Sequence, residues 1–434
     1  MADLLSMSAD IIDGRVTPEA LGPLNRINHQ LSELATDLAV VEAFSHCIVF
    51  KTDEGLVTFD TSNEHGGKKC VSAIQSWTHD PFHTVVFTHG HIDHVGGCGA
   101  FCDAYEGRKP IIVGHENVAA RFDRYRMTNG YNHVINERQF GQFKRRGYDL
   151  AGASQFLPIA TPKPDVTYSA GMTMSVGGLD IELNHAKGET DDHTWTWLPQ
   201  YKMISAGDQF IWNFPNCGNP QKVQRYPLEW AQSLREMMAT DVELFVPAHG
   251  LPISGHNRIV SCLEIVASTL EELVEDVVSA MNSGATLNDI VASVEVNPEL
   301  LELPYLRPLY DEPEFVIRNI WRLYGGWWDG KPSHLKPAAD DLLAVALCEM
   351  VGGASVLAER ARQIADDGDF RVASHLIDLA SDAAPDAIEV HEIRASIYMD
   401  RRAQETSLMA KGIFESAANE SRHAAGQPIE AITD

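Results

Sequence analysis

The sequence has few of the features that mark secreted or membrane-bound proteins. It contains seven cysteines in 434 residues, an odd number without regular spacing. This favours reduced thiols in the cytoplasm over a disulfide framework. No run of 18 apolar residues is present, so we expect no membrane span. Residues 1–6 lack the basic and apolar segments of a signal peptide.

Basic residues are also scarce, with 34 Lys and Arg against 61 Asp and Glu and a net charge of −27. Because nucleic-acid binding needs clustered Lys and Arg, we expect no nucleic-acid partner. The exception is the segment 117–157, which is locally basic and aromatic. Its members include Arg121, Arg124, Arg126, Lys144, Arg145, Arg146 and Tyr148. This segment predicts either a solvated helix face or a cover that holds an anionic head group.

The length predicts two or three domains, and 44% hydrophobic residues suffice for a sizeable core. Short apolar stretches alternate with helical patterns up to about residue 262, which is typical of an α/β domain. Beyond it, apolar residues such as Ile265, Leu273 and Val277 recur at helical spacing. We therefore predict an α/β domain over residues 1–262 and an all-α domain over residues 263–434.

The most informative segment follows an apolar strand at 85–88. Its metal-binding residue types are His89, His91, Asp93 and His94. Imidazole and carboxylate groups bind divalent metals through nitrogen and oxygen lone pairs. A His-x-His pair that closes a strand has both rings on one side, and the two later residues can approach a second ion. Gly96 and Gly97 would allow a tight turn. The pattern predicts a dinuclear metal site.

Later strands end in side chains of the same kind. The strand at 179–183 leads into a loop with Glu189 and His193, the strand at 203–207 ends at Asp208, and the strand at 243–247 ends near His249. Asp60 ends an earlier strand, where it either orients a ligand histidine or caps a turn. A strand followed by a ligand, repeated along the chain, is what a metal site at a sheet edge requires.

The segment from His89 to His94 resembles the signature of the metallo-β-lactamase superfamily. That resemblance implies an α/β fold, an αββα sandwich with the metals at the sheet edges. Many relatives place a histidine directly after the glycine of the loop at residue 188. Here Glu189 stands at that place and His193 follows four residues later, so the two compete for one coordination position.

Glu189 followed after 19 residues by Asp208, and then Pro247-x-His249-Gly250, resembles the alkylsulfatase branch of the superfamily. The likeness implies two Zn²⁺ per chain, although the carboxylate-rich set also admits Fe or Mn. The first ion would be held by His89, His91 and Glu189. The second would be held by Asp93, His94 and His249. Asp208, one carbon shorter than the usual glutamate, would bridge them together with a hydroxide.

The segment 312–330 resembles the alkylsulfatase dimerisation domain, and the similarity extends to about residue 423. It implies a homodimer and an all-α dimerisation domain after the sandwich. No room is left for the sterol-carrier-like C-terminal domain of many such sulfatases.

Substrate recognition is where the chain departs from this branch. Relatives bind sulfate through a His-Asn pair and an Arg after the bridging acid, and through a histidine where this chain has Phe315. Here Asn219 and Arg225 are the predicted substrate-binding residues, with Lys222 nearby. The charge of two divalent ions is cancelled by three carboxylates and a hydroxide. A sulfate ester therefore needs added cations, whereas a neutral ester does not.

We predict a dizinc hydrolase that uses a metal-bound hydroxide to cleave the sulfate ester of a small molecule with an apolar chain. Asp93, Asp208 and His193 are the predicted catalytic residues, and His193 or His256 would protonate the leaving group. The alternative is a carboxylic ester, lactone or thioester hydrolase on the same metal site. A non-catalytic helical scaffold is disfavoured because every predicted ligand position holds a competent side chain.

Overall fold

Two mixed β-sheets pack between layers of helices in the computed structural model, which describes residues 3–141 and 155–429. The predicted αββα sandwich is confirmed, as is the helical region that follows it. Part of the predicted basic segment, Lys144, Arg145, Arg146 and Tyr148, lies outside the described residues.

The first sheet contains seven strands that lie side by side in chain order. They are β1 (Leu31–Ala35), β2 (Leu38–Val41), β3 (Cys47–Thr52), β4 (Gly55–Phe59), β5 (Phe82–Val86), β6 (Ile111–His115) and β7 (Val166–Tyr168). Strands β1 to β4 pair antiparallel, and β4 to β7 pair parallel. The carboxyl ends of β4 and β5 therefore meet at one edge, which brings Asp60 close to the histidine-rich segment.

The second sheet contains six strands in the order β13-β12-β11-β10-β9-β8. They are β8 (Gly171–Val176), β9 (Leu179–Ala186), β10 (His193–Leu198), β11 (Met203–Gly207), β12 (Leu244–Pro247) and β13 (Ile253–Ser254). Only β11 and β12 pair parallel within this sheet. Asp208 and His249, which follow these two strands, consequently lie at the same edge.

The helices divide into those that flank the sheets and those of the C-terminal region. The first set is α1 (Leu4–Ile12), α2 (Pro18–Leu21), α3 (Glu64–Trp77), α4 (Ile92–Val95), α5 (Cys98–Asp103), α6 (Asn117–Met127), α7 (Asn129–Gln139), α8 (Pro227–Met238) and α9 (His256–Asn282). The second set is α10 (Leu287–Ser293), α11 (Pro298–Leu301), α12 (Pro313–Gly325), α13 (Pro332–Leu335), α14 (Asp340–Val351), α15 (Ala354–Asp366), α16 (Phe370–Ala383), α17 (Ile388–Gln404) and α18 (Leu408–Ala424).

Hydrophobic contacts divide these helices among three cores. The core between the sheets continues through α8 and α9 to buried residues of α12 such as Val316 and Ile320. A second core lies between the first sheet and α3, α5 and α6. A third, separate core holds α14 to α18 together. The predicted domain boundary at residue 262 falls inside α9. The apolar stripe of this helix continues without a break past that residue and packs into the same core as the second sheet.

Among the described residues, no single helix is both long and apolar enough to cross a membrane. Helices α14 and α15 meet that criterion only as a pair, and they are bent by 86° relative to each other.

Candidate metal centre

The histidine-rich segment sits just beyond β5. The strand ends at Val86, so His89 and His91 lie in the loop after it rather than at its last residues. Asp93 and His94 lie in the short helix α4. The rings of His89 and His91 nevertheless have centroids only 4.5 Å apart. The loop thus brings the two imidazoles together, as was predicted for a pair at the end of a strand.

A first group of four metal-binding side chains meets at the sheet edge. It consists of His89, His91, Glu189 and Asp208, each of which offers one ligand atom within 4.8 Å of the others. His91 Nδ1 lies 3.6 Å from Glu189 Oε1, and His89 Nε2 lies 3.9 Å from Asp208 Oδ2. Chain segments that are 119 residues apart in sequence thus converge on one position.

A second group lies directly beside the first. Asp93 Oδ2 is 3.5 Å from His94 Nε2 and 3.4 Å from His249 Nε2. Asp208 also reaches this group, with Oδ2 3.3 Å from His94 Nε2 and Oδ1 3.5 Å from His249 Nε2. Asp208 therefore lies between the two groups, where a bridging carboxylate was predicted.

The separations fit a metal ion better than they fit hydrogen bonds. Ligands about 2.1 Å from a tetrahedral zinc are about 3.4 Å apart, close to the separations found here. Several of the ligand atoms are also buried without a hydrogen-bond partner among the described residues. These atoms are His89 Nε2, His94 Nε2, Glu189 Oε2 and Asp208 Oδ1. Because an unpartnered buried polar atom is costly, the convergence of these atoms makes the two groups candidate metal-binding sites.

His193 does not join either group. Its Nε2 accepts a hydrogen bond from the backbone N–H of Asp208 at 2.9 Å, and its ring stacks on that of His89 at 4.9 Å between centroids. Burial lowers the pKa of His193 to about 4, so the ring stays neutral and can accept this bond. Of the two residues predicted for one coordination position, Glu189 lies with the other candidate ligand atoms, whereas His193 holds the backbone of Asp208.

His256, the other predicted proton donor, lies elsewhere. Its Nδ1 contacts the carbonyl of Val242 at 3.1 Å, which precedes the start of β12, whereas His249 follows the end of that strand. Strand β12 separates the two histidines, so His256 lies at the other end of this strand from the candidate ligand His249.

Asp60 orients a predicted ligand. Its Oδ2 lies 2.7 Å from His94 Nδ1, the ring nitrogen that faces away from Asp208. The backbone N–H and hydroxyl of Thr88 donate to the two oxygens of Asp60 at 2.8 and 2.7 Å. Although burial acts in the other direction, Asp208, Asp60 and Asp93 raise the pKa of His94 well above its usual value. A carboxylate behind a ligand histidine fixes the ring orientation, which is the first of the two roles predicted for Asp60.

The buried part of the basic segment supports the histidine loop. Arg121 is almost fully buried and pairs with Asp192 at 2.9 Å and with Asp191. The same Asp192 oxygen accepts the backbone N–H of Gly90, between the two loop histidines, at 3.1 Å. A side chain at Gly90 would overlap both Arg121 and Asp192. Arg121 therefore belongs neither to a solvated helix face nor to an anion-binding cover.

The glycines after the motif serve packing rather than a tight turn. Gly96 and Gly97 have ordinary helical φ values of −63° and −79°. A Cβ on Gly97 would overlap the carbonyl of Thr61 and the backbone of Gly67 in α3. The requirement for glycine thus comes from the close approach of two segments, which spacing in the sequence could not reveal.

Glu189 is held by two side chains of the loop before α8. Arg225 Nη1 donates to Glu189 Oε1 at 2.7 Å, and Asn216 Nδ2 donates to the same oxygen at 2.6 Å. Burial raises the pKa of Glu189 to about 8, and Arg225 acts against that shift. Arg225, predicted to bind substrate, is itself buried and pairs with Glu189. Asn219, the other predicted substrate-binding residue, donates to Gln139 Oε1 at 3.3 Å instead.

Sequence comparisons match both regions of the chain to known families. Residues 40–249 match the metallo-beta-lactamase superfamily, and residues 286–424 match the family described as alkyl sulfatase dimerisation. A linear primary-alkylsulfatase from Pseudomonas sp. is 24% identical over 348 residues, which cover 76% of this chain and 65% of the relative. An (R)-specific secondary-alkylsulfatase from Pseudomonas sp. is 23% identical over 400 residues, which cover 86% of this chain and 59% of the relative. The chain thus spans less than two thirds of either relative.

A solved structure shares the fold. The stereoselective inverting sec-alkylsulfatase from Pseudomonas sp. superposes with a TM-score of 0.80 at 22% identity, covering 91% of this chain and 66% of that one. The agreement extends beyond the sheets into the helical region, since the sheet-containing part alone is far shorter than the matched length. The chain therefore consists of a metallo-β-lactamase domain joined to an alkylsulfatase dimerisation domain.

Proposed function

We propose that the protein is an alkylsulfatase that binds two Zn²⁺ ions and hydrolyses the sulfate ester of an alkyl chain. The observation that carries the proposal is the position of Asp208 between two groups of candidate ligand atoms, in a chain with a region that matches the alkyl sulfatase dimerisation family. The relatives named as alkylsulfatases support the choice of substrate class.

The roles of the residues follow from their contacts. His89, His91 and Glu189 would hold one ion, Asp93, His94 and His249 the other, and Asp208 would contact both. When bound, two such cations lower the pKa of a water molecule between them and polarise the ester. The chain contributes by fixing the ligands beforehand. Asp60 and Thr88 orient His94, His193 holds the backbone of Asp208, and Arg225 with Asn216 holds Glu189.

Lys222 is the residue best placed to add positive charge for a sulfate ester. Arg225 forms an ion pair with Glu189. The ammonium group of Lys222 instead donates a hydrogen bond to a neutral partner, Asn136 Oδ1, at 3.0 Å. Burial and Arg225 lower the pKa of Lys222 to about 8, while Asp93 and Glu189 act in the opposite direction. The carboxylates of Asp93 and Glu189 thus favour the charged form of Lys222. We infer that Lys222 binds the anionic head group in this protein.

A substrate panel tests this proposal. The zinc-loaded protein is expected to release sulfate from medium-chain alkyl sulfates, measured by ion chromatography. Lys222→Met should raise KM for the alkyl sulfate about 10- to 100-fold, because a hydrogen bond to a charged group contributes about 1.5–3 kcal/mol. KM for a carboxylic ester of the same chain length, if that ester is hydrolysed, should not change.

The matched control is Lys163→Met, since Lys163 lies on the surface in an ion pair with Asp123. It should behave as wild type with both substrates. Turnover of esters, lactones or thioesters without any sulfate release would contradict the sulfatase assignment. It would instead favour the neutral-ester hydrolase, a reading supported by the engagement of Arg225 and Asn219 with other side chains.

We also propose that two copies associate through α14. This helix presents an apolar face to solvent, with Leu342 67%, Leu343 50%, Met350 82% and Val351 48% exposed. A contiguous patch of this kind is typical of a protein–protein interface. The helix lies within the region that matches the dimerisation family, and a second copy is therefore the expected partner.

The double variant Leu342→Glu/Met350→Glu is expected to convert the dimer into a monomer. Burial of each such side chain contributes about 1.5–3 kcal/mol, and a symmetric interface counts every substitution twice. The dissociation constant should thus rise by at least about 10³-fold, as measured by sedimentation velocity. Ile159→Glu, which changes an isolated residue that is 87% exposed, serves as the control and should leave the association intact. A double variant that remains dimeric would rule out α14 as the interface.

A further inference from the structure

The loop between β11 and α8 connects the metal-binding atoms to the helical region. At one end, Asn216 Nδ2 donates to Glu189 Oε1 at 2.6 Å, and its carbonyl accepts from the guanidinium of Arg225. Two residues later, the backbone N–H of Gly218 donates to Asp311 Oδ2 at 2.6 Å. The loop is therefore fixed on one side to a predicted metal ligand and on the other to Asp311, just before α12.

Asp311 is fully buried, and it faces backbone donors rather than a cation. Its second oxygen, Oδ1, accepts the backbone N–H of Glu312 at 2.8 Å. Burial raises the pKa of Asp311 to about 7, against the effect of the N–H donors of Gly218, Glu312 and Asn219 and of Arg225. Burying a carboxylate costs free energy unless its oxygens accept hydrogen bonds. The hydrogen bond from Gly218 therefore ties the position of Asp311 to the backbone of the loop.

The contact between loop and helix leaves no room for adjustment. A Cβ on Gly218 would overlap the backbone of Phe315 and Val316 at the start of α12. The segment that carries Asp311 is in turn held by the beginning of α18. Ser407 Oγ donates to the carbonyl of Tyr310 at 2.7 Å, and the N–H of Leu408 donates to the carbonyl of Leu309 at 2.8 Å.

A second set of contacts joins α7 to the same loop and to the segment at 309–311. Gln139 Nε2 donates to the hydroxyl of Tyr310 at 2.5 Å, and Gln139 Oε1 accepts from Asn219 Nδ2 at 3.3 Å. In α18, a Cβ on Gly412 would overlap the carbonyl of Gln139. Helix α18 thus supports both the segment at 309–311 and the helix that contacts the loop.

From these contacts we propose that Asp311 is a positioning residue for the metal centre. By holding Gly218, it keeps Asn216 and Arg225 in the positions from which they restrain Glu189. The helical region would then complete the metal site, although all predicted ligands lie between residues 89 and 249. This inference rests on the metal binding of the proposed function and does not depend on the sulfate substrate.

The variant Asp311→Asn tests the inference. Asparagine can accept with one oxygen only, so its amide group faces one of the backbone N–H donors that Asp311 satisfies. We expect a zinc affinity about 10- to 100-fold below that of wild type, as is usual for residues that support metal ligands. Zinc affinity is measured by competition with a chromophoric chelator. Turnover of whichever ester wild type hydrolyses should recover when free zinc is raised.

The control variant is Asp378→Asn. Asp378 binds Arg394 and Tyr398 inside the helical region at 2.8 and 2.7 Å, away from the loop. It should lower the melting temperature without changing zinc affinity, and this separates positioning from general destabilisation. If Asp311→Asn does not fold, Asn216→Ala decides the matter, since the same loss of zinc affinity is expected there.

Folded Asp311→Asn with wild-type zinc affinity would overturn the inference and leave the proposed function standing. Unchanged zinc affinity in Asn216→Ala would overturn it equally. A wild-type protein that binds no zinc would overturn the proposed function, and this inference with it.

Discussion

Replacing Asp208 with asparagine is expected to lower the rate of ester hydrolysis by about 10³-fold or more. Asp208 Oδ2 lies 3.9 Å from His89 Nε2 in the first group, and Oδ1 lies 3.5 Å from His249 Nε2 in the second, so each oxygen serves a different part of the site. Asparagine keeps the shape but removes the negative charge and one of the two acceptor oxygens. Metal-ion catalysis supplies several kcal/mol, and each 1.4 kcal/mol is a factor of ten in rate. The measurement is kcat with saturating zinc, together with the zinc content per chain.

Asp180→Asn is a suitable comparison for this variant. Asp180 is an exposed residue of β9 in the same sheet, where it accepts a hydrogen bond from Gln200 at 2.8 Å. Its substitution should leave both activity and zinc content unchanged. An Asp208→Asn protein that retained two zinc ions and wild-type kcat would show that the carboxylate does not link two metal positions.

Arg225→Met is expected to destabilise the metal-free protein by about 3–5 kcal/mol and to weaken zinc binding. Arg225 and Glu189 form an ion pair at 2.7 Å in which both side chains are less than 5% exposed. Above pH 8, where Glu189 carries its charge in the wild type, removing Arg225 leaves that charge uncompensated in the interior, which accounts for the size of the loss. The free energy of unfolding is obtained from denaturant titration of the chelator-treated protein.

The double variant Arg225→Met/Glu189→Gln separates charge from packing. It should regain a large part of the lost stability, because no unpaired charge remains, but it should not regain zinc affinity. Arg235→Met provides a surface reference, since Arg235 pairs with partly exposed glutamates and should lose no more than about 1 kcal/mol. If Arg225→Met were as mild as this reference, the pair would not stabilise the site.

This expectation changes how loss of activity at Arg225 is to be interpreted. From the sequence, such a loss would have indicated sulfate binding by the guanidinium. In the structure the guanidinium contacts Glu189 and the carbonyl of Asn216, so a loss would follow for any substrate. Lys222 is therefore the residue that can discriminate between an anionic and a neutral ester.

The resemblance of the histidine-rich segment to the metallo-β-lactamase superfamily predicted the sandwich fold, and apolar residues at helical spacing predicted the helical region. The histidine-rich segment could be recognised because a strand followed by a residue of metal-binding type is a local pattern. Residues such as Asp208 and His249 could be named for the same reason, and the parallel pairing of β11 with β12 then brings their strand ends together. The structure does place the seven predicted ligands in two adjoining groups. Their roles as ligands stay predictions until metal is measured.

What the sequence could not predict are contacts between distant segments. Neither Asn216 nor Asp311 belongs to a recognisable motif, and their partners lie 27 and 93 residues away. The role of Arg121 was missed for a similar reason, since Arg121 lies in α6 and its partners Asp191 and Asp192 lie in the loop before β10. Spacing reveals which residues share an element, whereas these pairings depend on how whole elements dock.

The unbroken apolar stripe of α9 has a consequence for folding. Over its 27 residues this helix contributes side chains from Ile259 to Val277 to the same core as the second sheet. Chain beyond the sheet-containing region is thus needed to shield the second sheet from water, and α9 should fold with that region as one cooperative unit. Helices α14 to α18 have a core of their own, but α18 also binds the segment at 309–310, which couples them to that unit. The end of the sheet-containing region and the end of the folding unit therefore do not coincide.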